Sequence, residues 1–68
     1  MNVDRYREIF EAHTKALSLA RETFFRTFDA ALDARAVASA RRKYFLDVEF
    51  ADGAFDAAMR AADKEVGQ

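Results

Sequence analysis

The sequence predicts an all-α fold: a long antiparallel helical hairpin that dimerises into a four-helix bundle. Composition is the first reason, since 68 residues include fifteen alanines, no proline and only two glycines, with 51% hydrophobic residues, and such a chain favours helix over coil. The second is periodicity, because apolar residues recur at steps of three and four through both halves. The third is symmetry of length: the two periodic runs are nearly equal and flank one weak point near 32–33.

The first helix is expected over about 3–31. Val3, Tyr6, Phe10, His13, Leu17, Ala20, Phe24, Phe28 and Ala31 fall on one stripe about eight turns long. The second is expected over about 34–66, where Ala34, Val37, Arg41, Tyr44, Val48, Ala51, Phe55, Met59, Ala62 and Val66 keep the same phase. Asp33 suits the N-cap between them, because its carboxylate can accept a first-turn N–H at the positive end of the helix dipole.

Folding back about that point brings together residues whose numbers sum to about 65. Phe10 then meets Phe55, Leu17 meets Val48, Phe28 meets Val37, Tyr6 meets Met59, and small Ala20 lies near large Tyr44. Phe24 meets Arg41, the one charged residue on the stripe, which can stack on the ring or run its stem along the seam. Most of the seven phenylalanines are expected in the core. Two rivals exist. A three-helix bundle broken near 47–53 would place Arg41, Arg42 and Lys43 at a helix C-terminus and Asp52 at an N-cap. Alternation over 44–52 also reads as a strand, although one strand cannot satisfy its own backbone.

All 68 residues form one helical domain. The chain contains no cysteine and one histidine, which excludes disulfide scaffolds and structural zinc. Charges interrupt every apolar stretch, so no segment reaches the roughly 18–20 residues of a membrane span. The opening residues lack an export signal, and the cytoplasm is the default address. No cofactor motif is present: Gly53 and Gly67 stand alone rather than forming a phosphate-cradling loop. Glu8 and Glu11 lie five and two residues from His13, spacings that aim no pair of ligands at one ion. With one histidine and serines only at 18 and 39, a nucleophile cannot be assembled with its base, and no enzymatic activity is expected.

The remaining surface points to binding. Ile9, Leu19, Phe25, Leu32, Phe45, Leu46 and Phe50 lie off the stripe that the fold-back buries, so a second copy or another protein is expected to cover them. Phe25, Phe45, Phe50 and Leu46 are the candidate contacts, aromatics being frequent interface anchors. The expected function is therefore a small interaction module, a regulator, inhibitor or adaptor, acting as a homodimer on a protein partner. Arg35, Arg41, Arg42 and Lys43 give +4 between 35 and 46, and Asp47, Glu49, Asp52 and Asp56 give −4 between 47 and 56. These halves complement one another in an antiparallel dimer. Arg35, Arg42 and Lys43 also define an alternative contact with phosphate or an acidic partner. Nucleic acid is disfavoured by the net charge of −1, and a membrane surface by the acidic half. A structural subunit of a larger assembly is a further alternative. His13 falls opposite Asp52 in the fold-back register, an arrangement that makes the two a pH-sensitive pair, because a carboxylate neighbour favours charged imidazole.

Overall fold

The computed structural model describes residues 3–67 and contains two helices, α1 over Val3–Ala30 and α2 over Ala34–Gly67. They pack side by side as an antiparallel hairpin, and no strand occurs among the described residues. The turn follows from local chemistry. Ala31 N–H closes the last turn of α1 on Phe28 O at 3.1 Å, Leu32 projects into solvent, and the Asp33 carboxylate accepts the Ala36 N–H at 2.8 Å. Asp33 is thus the N-cap of α2, where it satisfies one of the orphan first-turn donors. Asp4 in the first turn of α1 and Lys64 in the last turn of α2 each complement the dipole of their helix.

The second helix runs unbroken through 44–53, so neither the three-helix alternative broken near 47–53 nor the strand over 44–52 is formed. Helical phase accounts for the apparent alternation: Tyr44 and Val48 turn inward while Phe45, Leu46 and Phe50 turn outward. Gly53 carries ordinary helical dihedrals, and a Cβ added there would meet nothing within 4 Å.

The buried side chains among the described residues are Ala20, Ala40, Ala51 and Ala62. Three of them recur at eleven-residue spacing along α2, and eleven residues close three turns to within about 20°. This places Ala40 rather than Arg41 on the contact line. Arg41 lies one residue, about 100°, further round, and is exposed, so the seam contains no charged intruder. Phe24 packs on Tyr44 instead, with ring centroids 5.3 Å apart. Phe10 meets Phe55 at 5.3 Å as expected, and the Tyr6 hydroxyl reaches on to Asp63, one turn beyond Met59. Both departures run toward the open end of the hairpin. Side chains lean toward the N-terminus of their own helix, and for α1 that is the open end, so long side chains meet α2 about one turn further along.

The expected phenylalanine core is absent from the lone chain. Phe10, Phe25, Phe28, Phe45 and Phe50 are exposed, because two parallel cylinders touch along one line and only a methyl fits wholly between them. The hairpin measures 54 × 15 × 6 Å along its principal axes, a plate one helix thick.

Two substitutions test this description. Asp33→Ala is expected to lower unfolding stability by about 1 kcal/mol, read as a shift in denaturant midpoint with unchanged slope. Gly53→Ala is expected to raise it by roughly 0.5–1 kcal/mol, since the added methyl meets no obstacle; a loss of stability would reveal a bend at that position.

Candidate functional site

Two apolar surfaces flank the seam, one on each face of the plate. The first is a groove of about 590 Å³ between the helices. Its floor is small: Ala12 and Ala16 from α1, Ala54 and Ala58 from α2. Ile9, Leu19 and Phe50 stand around it, with Phe50 80% exposed. Glu8, His13, Asp47 and Phe55 also line it.

The second surface is aromatic. Phe24 sits with its centroid 5.6 Å from Phe25, 5.9 Å from Phe28 and 5.3 Å from Tyr44, and Tyr44 lies 6.0 Å from Phe45. The half-buried Phe24–Tyr44 pair therefore joins Phe25 and Phe45, which remain 55% and 57% exposed. Tilted rings at these separations attract one another.

Of the four contacts expected from sequence, Phe25 and Phe45 thus belong to one cluster and Phe50 to the other face. Leu46 lies between them, sharing a shallow depression with Phe45, Arg41 and Arg42 and standing one turn from Phe50. Sequence reasoning missed the exposed Phe10 and Phe28 and the alanine-floored groove. The groove has a legible signal: Asp52, Asp56, Arg60 and Asp63 recur at helical spacing and leave the opposite side of α2, with Ala54, Ala57, Ala58 and Ala61, free of charge.

The uncovered area is large. A compact monomer of 7.7 kDa has about 4,300 Å² of accessible surface by mass scaling. This chain has 5619 Å², an excess of about 1,300 Å².

Polar contacts also bridge the helices. His13 Nε2 lies 2.8 Å from Asp52 Oδ1, and the imidazole stacks on Phe55 with centroids 4.5 Å apart. The Tyr6 hydroxyl donates to Asp63 Oδ1 at 2.7 Å. Arg5 Nε sits 3.0 Å from Glu65 Oε2 at the open end. In the basic stretch, Lys43 Nζ pairs with Asp47 at 3.1 Å, while Arg35 and Arg42, seven residues apart on one side of α2, are exposed. The trio of Arg35, Arg42 and Lys43 is therefore divided, with the lysine engaged on its own helix. Among the described residues no group of three or more His, Asp or Glu is placed to hold a metal ion, and no helix is long and apolar enough to cross a membrane.

Comparison with protein-family models, with curated proteins and with solved structures finds no match.

Tyr6 gives a pH test of the hairpin register. Its hydrogen bond to Asp63, then desolvation and the Asp63 and Glu65 charges, raise the phenol above its ordinary value of 10.0. The unfolded chain therefore releases this proton first, so the stabilisation is complete below the unfolded value and fades as pH rises through the folded one. The stability difference between wild type and Tyr6→Phe is expected to hold constant from about pH 7 to 9 and to shrink above about pH 10. A difference that persists into stronger alkali would place the phenol elsewhere.

Proposed function

We propose that this protein is a non-enzymatic interaction module, a small regulator, inhibitor or adaptor that works as a homodimer and occupies a surface of a larger protein. The observation that carries the reading is the uncovered apolar area: the largest side chains of a 68-residue chain stand outside its own core, with Phe25, Phe45, Leu46 and Phe50 all more than half exposed. Folded chains of this size conserve such side chains for burial, and contiguous patches of them mark contact sites. Aromatic residues clustered on a rigid helical plate supply large contact area at small entropic cost.

A contact of Arg35 and Arg42 with phosphate is the second reading, supported by the exposure of both guanidiniums. Lys43 is committed to Asp47, and the chain as a whole sums to −1, so the protein-binding reading is preferred.

The test is affinity capture from the native source with the full chain as bait, beside a Phe25→Asp, Phe45→Asp bait. Both positions are exposed, so helical circular dichroism should be retained in the variant. One dominant protein is expected with the wild type, and its recovery should fall about 30-fold with the variant, the loss of a hot spot. Equal recovery by both baits would overturn the reading. Salt-sensitive retention on DNA that disappears with Arg35→Ala, Arg42→Ala would favour the phosphate contact.

A further inference from the structure

We infer that the groove between α1 and α2 is the seat of a second copy of this chain, with Phe50 of each copy filling the groove of the other. This rests on the interaction-module reading and assigns one of its two faces. Area is the first support. The excess of about 1,300 Å² per chain, spread over both faces of the plate, exceeds the roughly 800 Å² that each partner buries in a standard stable interface, so covering one face can supply most of what a dimer requires.

Shape is the second support. A two-fold contact demands a patch complementary to itself. Here a projecting phenyl ring, Phe50, borders a recess floored by Ala12, Ala16, Ala54 and Ala58, so knob and hole lie on one face of one chain. A covering layer would also give the plate the second layer that helical domains are built from.

Charge selects between the faces and among occupants. From 50 to 62 the charged residues of α2 are Asp52, Asp56 and Arg60, all turned away from the groove by helical phase, and interface centres are depleted of charge in this way. The opposite side of α2 is the more polar: Phe45, Asp52 and Asp63, spaced by seven and eleven residues, share it, and the two carboxylates are engaged by Tyr6 and by His13, whose ring also borders the groove. Asp47 is paired with Lys43, which leaves the Glu8 carboxylate at the groove to repel an anionic bilayer, whereas a net charge of −1 sets no long-range barrier between two copies.

Sedimentation equilibrium of the full chain tests the assignment. Ala54 and Phe50 are exposed in the lone hairpin, so Ala54→Glu and Phe50→Asp should leave its helix content intact. The wild type is expected to be a dimer whose dissociation constant rises about 100-fold or more in each variant, while Phe45→Asp shifts it less than about three-fold. A dimer indifferent to Ala54→Glu and Phe50→Asp but lost in Phe45→Asp overturns the groove assignment and leaves the module reading standing. A wild-type monomer, or a chain that joins anionic vesicles in place of itself, overturns it also; the capture experiment decides the module reading separately.

Discussion

Two helices lying side by side can each hide only one narrow stripe, and every other property of this protein follows from that geometric limit. The contact line admits methyl groups, so Ala20, Ala40, Ala51 and Ala62 are the buried side chains, and the phenyl rings are displaced to the two faces of the plate. At about 0.8 kcal/mol for each buried methyl, four alanines supply little beside the 5–15 kcal/mol typical of a folded domain. Half-buried rings such as Phe24, Tyr44 and Phe55 carry the rest of the cohesion within the hairpin.

The two faces differ in chemistry although both are apolar. One bears a chain of tilted aromatic rings. The other is an alanine-floored recess in which Phe50 is the most exposed ring, with Glu8, His13 and Asp47 also on its lining. The difference arises in the middle of α2, where Asp52, Asp56 and Asp63 share the side away from Ala54 and Ala58. Charge thus marks the Asp52, Asp56 and Asp63 side of α2 as the solvated one.

Much of this was legible in the residues. Both helices, the Asp33 cap and the meeting of Phe10 with Phe55 and of His13 with Asp52 follow from period and fold-back alone. The position of Arg41 was not legible, because steps of three and four permit either Ala40 or Arg41 on the stripe, and only an eleven-residue recurrence through Ala40, Ala51 and Ala62 distinguishes them. The exposure of Phe10 and Phe28 was hidden for a different reason. Hydropathy identifies which side of a helix seeks shelter, whereas the width of the available shelter depends on how many helices assemble. The candidate contacts Phe25, Phe45, Phe50 and Leu46 were recognised individually, but their division between two faces required the ring positions.

The regular alanine spacing has a consequence for alignment. The α2 side of the seam, with Ala40, Ala51 and Ala62, looks nearly the same after sliding about 16 Å along its axis, so to Ala20 of α1 it is a ruler with unnumbered marks. The short turn sets the coarse position, and the Tyr6–Asp63 and His13–Asp52 links act as dowels that select one mark. Solvent-facing links of this kind add little cohesion; their contribution here is to make one axial setting distinguishable from its neighbours.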